Sequence, residues 1–281
     1  VNLSFKGFVM SDIKTILLHL DDSNAKRRVE LAQLVAQRLD AQVNAVYCVT
    51  PSLLRYPLAV PSATSVSTLM LALDKEFKDK AKASFDSAAA DSSRLHWCEW
   101  EGNAPWNFAR FALYTDLLIL GQRDPDADTA DGLPDSFVPD MLEGSGHPAL
   151  VVPYAGNFET VGSRVLLAWN ESPEAARALS AALPFMRRAS QVDVTYFADL
   201  PEAALASIQR FLGAHGIKPA LHRGGPEGSD TGELLLSQAA DLDSDLLVMG
   251  CYGHSRVREW VLGGVTRTIL KSMTLPVLMV H

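Results

Sequence analysis

Three short segments of this chain recur in the same order, and that repetition restricts the possible fold more than any other feature. TILLHLDDS (Thr15 to Ser23) returns as RVLLAWNES (Arg164 to Ser172). DLLILGQRD, from Asp116, returns as DLLVMGCYG from Asp245, and HPALVVP, from His147, returns as LPVLMVH from Leu275. The half-length far exceeds the period of a solenoid, so the duplication reads as two domains, 12–153 and 164–281. A small, polar linker, Tyr154 to Ser163, joins them. The spacing also shows where the copies differ. Leu17 and Leu166 are 149 residues apart but Asp116 and Asp245 only 129, so the first copy holds 20 extra residues before its fourth strand. The Pro- and Ser-containing segment Pro51 to Met70 is expected to be that insertion, as a long loop.

Within each copy, short apolar runs alternate with helical patterns, the arrangement of βαβ units around a parallel sheet. Strands are expected near 14–20, 42–49, 94–100, 116–121 and 148–153, then near 164–169, 191–198, 217–223, 245–250 and 276–280. Helices are expected near 24–39, 67–91, 103–113 and 134–144, then near 172–188, 201–214, 229–241 and 255–272. The first shows its stripe plainly, with Val29, Leu31, Ala32, Leu34, Val35 and Leu39 at helical spacing. Open sheets of this type bind ligands beyond the carboxyl ends of their strands, where the strand order reverses. If the first and fourth strands of the second copy are neighbours, Asn170 and the chain after Gly250 face one crevice.

That chain carries the most specific motif. DLLVMG runs into GCYGHSRVREWVLGG, with glycines at 250, 253 and 263 in the pattern G-x2-G-x9-G. A glycine-rich passage from strand to helix can bring bare backbone N–H groups to an anion. His254 and Ser255 could donate to phosphate oxygens, although Ser255 serves equally well as a helix N-cap. Arg256 and Arg258 have a surface partner in Glu259, and pairing with it is the favoured reading.

Composition bounds the rest. A net charge of −8 repels nucleic-acid polymers, whereas a nucleotide pocket built from backbone dipoles is unaffected. No apolar run has the length of a membrane-spanning helix. VNLSFKGFVM makes an unconvincing signal peptide, and Met10 offers a natural start, so residues 1–9 read as an extension ahead of it. Three cysteines without a CxxC pair argue against a disulfide framework, with Cys48 and Cys98 expected as buried thiols and a reducing cytoplasm as the setting. The acidic run Asp124 to Asp135 lacks the spacing of a calcium loop and reads as a solvated segment. The histidines show no metal-ligand spacing, and no nucleophile elbow or Cys/His pair is legible.

With these residues in view, the chain over 12–281 resembles a tandem universal stress protein. The resemblance implies two five-stranded, Rossmann-like α/β domains, packed as an intramolecular pseudo-dimer through Ala149 to Val152 and Val277 to Val280. It implies an adenine nucleotide, ATP or ADP and optionally Mg, bound in the second copy. The implied contacts are Ala168, Trp169 and Asn170 at the end of the first strand, Met249 and Gly250 at the end of the fourth, and Gly253, His254 and Ser255 after it. Gly263, Gly264, Val265 and Thr266 complete the set. Two departures stand out. Asn170 replaces the family's Asp, and Gly264 stands where the family has its first Ser or Thr after the third glycine. The change at Asn170 is expected to weaken or retune binding rather than abolish it, and at the glycine loop the second hydroxyl, that of Thr266, is kept. The first copy keeps Asp21 but has no glycine loop after Gly121, and its aspartates would repel a triphosphate, so it reads as a structural half. No residue positions an attacking water against a base, so at most slow ATP hydrolysis is expected. The resemblance also allows a homodimer and an unidentified protein partner. The rival reading is a scaffold without nucleotide, whose apolar insert Leu53 to Leu71 contacts a partner or a small apolar ligand.

Overall fold

The computed structural model describes residues 13–21, 25–55, 64–90, 92–100, 104–124, 132–197, 199–225, 231–252 and 264–281. The first half contains β1 (Thr15–Leu20), α1 (Ala25–Leu39), β2 (Gln42–Tyr47), α2 (Ser52–Arg55), α3 (Thr64–Ala89), β3 (Leu95–Cys98), α4 (Phe108–Phe111), β4 (Leu117–Gly121), α5 (Phe137–Gly144) and β5 (Ala149–Val152). The second half contains β6 (Arg164–Ala168), α6 (Pro173–Met186), β7 (Gln191–Tyr196), α7 (Glu202–Ala214), β8 (Ala220–Arg223), α8 (Thr231–Asp241), β9 (Leu246–Gly250), α9 (Val265–Ser272) and β10 (Val277–Val280). Of the helix expected over 255–272, α9 is the described part.

The ten strands among the described residues form one sheet in the order β3-β2-β1-β4-β5-β10-β9-β6-β7-β8. Pairing is parallel within each half. At the junction β5 and β10 run antiparallel, with Val151 opposite Val277 and Ala149 opposite Met279. The pseudo-dimer expected from the last strands is therefore the observed join. Central strands are buried on both faces, which explains their unbroken apolar runs. One face packs against α1 and α6, and the other against α5, α8 and α9.

The recurring Asp before the fourth strand has a structural cause. Asp116 accepts hydrogen bonds from Lys14 N, Thr15 N and Thr15 Oγ1, each 2.9 Å long. Asp245 likewise accepts from Ser163 N at 3.0 Å, Arg164 N at 2.8 Å and Thr160 Oγ1 at 2.6 Å. Each carboxylate fastens the start of the first strand beside the start of the fourth. Burial alone would raise the Asp116 carboxyl, but these donors outweigh it and hold the group below the usual range.

The insertion is not simply a loop. Its described parts include α2, and α3 begins at Thr64, several residues before the expected helix. Asp74 of α3 accepts from Ser52 N and Oγ, fixing α2 to it. The Leu, Met, Ala, Lys and Glu content of 69–82 favours helix, and the i,i+4 pairs Lys75–Asp79 and Lys82–Asp86 support it. These local preferences prevail over the Pro and Ser that suggested a loop. Trp97 packs on Phe85 at 5.6 Å, while Trp100, beyond the end of β3, packs on Phe111 at 4.4 Å. Cys48 is buried as expected and its thiol is pushed up to about 12 by desolvation, but Cys98 is only half-buried.

Candidate functional site

The strand order reverses between β6 and β9. They pair in parallel, Val165 opposite Leu246 and Leu167 opposite Val248, while β7 flanks β6 and β10 flanks β9. The carboxyl ends of β6 and β9 thus meet, which brings Ala168 and Asn170 to the same end of the sheet as Gly250. The neighbourhood required by the sequence reading is present.

The individual side chains divide by role. Asn170 is exposed, and its Oδ1 accepts from Ser172 N at 3.2 Å. Glu171 turns the chain with φ 57°, and Ser172 caps α6 by accepting from Ala175 N at 3.1 Å, with Pro173 in the first helical turn. Asn170 thereby helps shape the turn into α6. Gly250 is required by packing: a Cβ there would lie 2.6 Å from Ala175 N and 2.6 Å from the Glu174 carbonyl carbon. The start of α6 rests directly on the end of β9. Met249 is buried in the core beneath α8 and α9, and the Trp169 ring packs toward the opposite core, its buried Nε1 without a hydrogen-bond partner. Met249 is thus part of the core, while Trp169 is half-buried.

Beyond β9, Cys251 N bonds to Val280 O at 2.9 Å and Tyr252 turns with φ 55°. Gly253, His254, Ser255 and Gly263 lie outside the described residues. The chain is next described at Gly264, which begins α9 with φ −51° and ψ 152° and provides no side-chain cap. The first N–H groups of α9 therefore have no side-chain acceptor at that position, an arrangement suited to an external anion. Val265 is half-buried and Thr266 fully buried. At the start of α6, burial alone would raise Glu174, but its own backbone N–H, Arg177 and Ser172 hold it below its usual range.

The first half presents the same frame filled differently. β1 and β4 are neighbours, and Asp21 stands at the end of β1, buried. Its carboxylate is paired with the guanidinium of Arg28, also buried: Nη1 donates to Oδ2 at 2.9 Å and Nη2 donates to Oδ1. Arg28 also occupies the space beside Gly121, where a Cβ would stand 2.8 Å from its Nη1. Beside it His19 is wholly buried between Phe108 and Phe137. Its Nε2 donates to Cys48 O at 2.7 Å, which leaves Nδ1 to accept from Arg28 Nη1 at 3.3 Å. Desolvation lowers the His19 pKa to about 4, so the ring is neutral. The sequence reading identified Asp21 but missed Arg28. The available signal was a charged residue on the buried stripe of α1, in line with Ala25, Val29 and Ala32.

The fold is that of a tandem α/β protein whose two halves share one sheet. Residues 222–281 match the universal stress protein family. Universal stress protein Slr1230 of Synechocystis sp. is 30% identical over 180 residues, covering 58% of this chain and 57% of that protein's length. A universal stress protein from Archaeoglobus fulgidus superposes with a TM-score of 0.72 over 95% of both chains at 15% identity. A putative universal stress protein from Pseudomonas aeruginosa gives 0.51 over 95% of this chain and 93% of its own, at 17% identity. The two superpositions speak to the fold, and the sequence matches to the family. Residues 222–281 thus carry the pattern of the universal stress protein family, and the chain as a whole is similar to tandem universal stress proteins in fold.

Proposed function

We propose that the protein is a regulatory protein that binds ATP or ADP, with or without Mg, at the carboxyl ends of β6 and β9. The observation that carries this reading is the meeting of those strand ends at the reversal of strand order, with the uncapped start of α9 following β9 in the chain. The glycines at 250, 253 and 263 supply the backbone for a phosphate loop. Asn170 can donate its Nδ2–H to a ribose oxygen while its Oδ1 keeps the Ser172 N–H. The first half serves as the structural partner, because Arg28 already neutralises Asp21 and fills the space beside Gly121. The domain limits 12–153 and 164–281, a cytoplasmic setting and further homodimerisation belong to the same proposal.

Calorimetric titration of Mg-ATP tests it. About one equivalent per chain is expected, and Gly253→Asp should weaken binding at least ~tenfold by placing a carboxylate beside the phosphates. Unchanged affinity in that variant would refute the loop assignment. A scaffold reading has one observation in its favour: Leu69 and Leu71 of α3 are 61% and 59% exposed, close in sequence to Leu73 and Phe77, which are also exposed. Absence of ATP binding to the parent protein would favour that reading.

A further inference from the structure

A cavity of about 850 Å³ lies at the seam between the halves, within the range of small-molecule sites. Its lining includes Asp21, Gly121 and Gln122 of the first half and Tyr252 and Gly264 of the second. Two helices of the lining matter most. One is α5, presenting Asp140 and Glu143, and the other is α9, presenting Arg267 and Lys271. Both helices precede the last strand of their half and bury their other faces in the same core. In register, Glu143 stands where α9 has Lys271, and Pro139 where it has Arg267. The junction related by the sheet thus has one acidic and one basic side.

The charges in this cavity are not equally satisfied. Asp21 is paired with Arg28 and Asp135 with Arg123, while Asp140 accepts from Ser136 Oγ at 2.7 Å. Asp124 and Glu143 are engaged as well. Among the described residues, Arg267 and Lys271 stand apart, one turn from each other on one helix face and without an ion pair. Like charges at i,i+4 repel, and an anion between them would relieve that repulsion. The acidic residues of α5 in the same lining disfavour a free polyanion and favour a positive group.

We propose that the seam cavity binds a small zwitterion, a phosphate-type anion held by Arg267 and Lys271 with an ammonium group facing Asp140 and Glu143. The site adjoins the nucleotide crevice at Gly264, the start of α9, but uses neither Asn170 nor the glycines at 250, 253 and 263. The anchor is the cation pair of α9, and the acidic wall supplies selectivity between a zwitterion and a plain anion.

Titration of O-phosphoethanolamine into the full chain, with inorganic phosphate and ethanolamine as comparators, tests this. One equivalent of O-phosphoethanolamine should bind, more tightly than either comparator. Arg267→Ala with Lys271→Ala should weaken it at least ~tenfold, while Arg267→Lys retains binding. Glu143→Gln should reduce the preference over inorganic phosphate without abolishing phosphate binding. Thermal melting verifies that each variant is folded. No binding to the parent protein, or equal affinity in the folded double alanine variant, overturns the site. Equal affinity for O-phosphoethanolamine and phosphate, unaffected by Glu143→Gln, overturns the zwitterion assignment. Because Gly253→Asp leaves α9 untouched, loss of ATP binding in that variant with retained O-phosphoethanolamine binding separates the two sites.

Discussion

Lowering the pH should destabilise the protein through His19, and the size of that loss can be worked from its surroundings. The ring is wholly buried, donates to Cys48 O and titrates at about 4, against 6.5 for an exposed histidine. Between those values the unfolded chain binds a proton that the folded one refuses. The stabilisation is therefore complete above pH 6.5 and is lost as the pH falls toward 4. Linkage gives a loss of about 2 kcal/mol between pH 7.5 and 5.0 from this residue alone. His19→Gln removes the titration while keeping an amide N–H for the Cys48 carbonyl. Urea denaturation of parent and variant at both pH values isolates the effect as a double difference, because other titrating groups cancel. A parent that loses about 2 kcal/mol more than the variant supports the assignment. A double difference below about 0.5 kcal/mol would refute the argument that burial keeps His19 neutral.

Other substitutions probe the frame around the two strand-end crevices. Gly250→Ala should cost about 1–3 kcal/mol and lower the melting temperature, because its Cβ meets backbone atoms of Glu174 and Ala175 at 2.6 Å. Arg28→Met should cost about 3–5 kcal/mol in chemical denaturation by removing the guanidinium from the buried Asp21 carboxylate, and adding Asp21→Asn should recover part of the loss. Asp245→Ala should cost about 2–3 kcal/mol, read from the denaturation midpoint, since it leaves the Ser163 and Arg164 N–H groups without their acceptor.

Much of the architecture was legible because duplication leaves strong marks. Apolar runs such as DLLILG and DLLVMG can only be strands buried on both faces, and their order carries over to the observed parallel sheet. Family resemblance added the join through the last strands, which local periodicity does not encode. Residues with two explanations were harder to read. Gly250 fits a phosphate loop by pattern, but its absent side chain is accounted for by the close approach of α6, a contact between elements far apart in sequence. Arg28 looks like a surface residue until Asp21 is placed seven positions before it at the end of β1. The insertion misled because prolines and serines mark a loop, while the helix-forming residues after them decide where α3 begins. The seam charges belong to no motif: Glu143 and Lys271 are equivalent in the repeat and opposite in sign.

A two-fold junction between identical subunits sets matching surfaces beside one another, so any mutation there changes both sides at once. A basic helix at such a junction would face another basic helix. Here β5 and β10 are joined within one chain, and the two sides are written by separate stretches of sequence. Each can drift without its counterpart, and the linker keeps the halves at high effective concentration while they do. Fusion thus releases the interface from symmetry, and α5 can be acidic where α9 is basic.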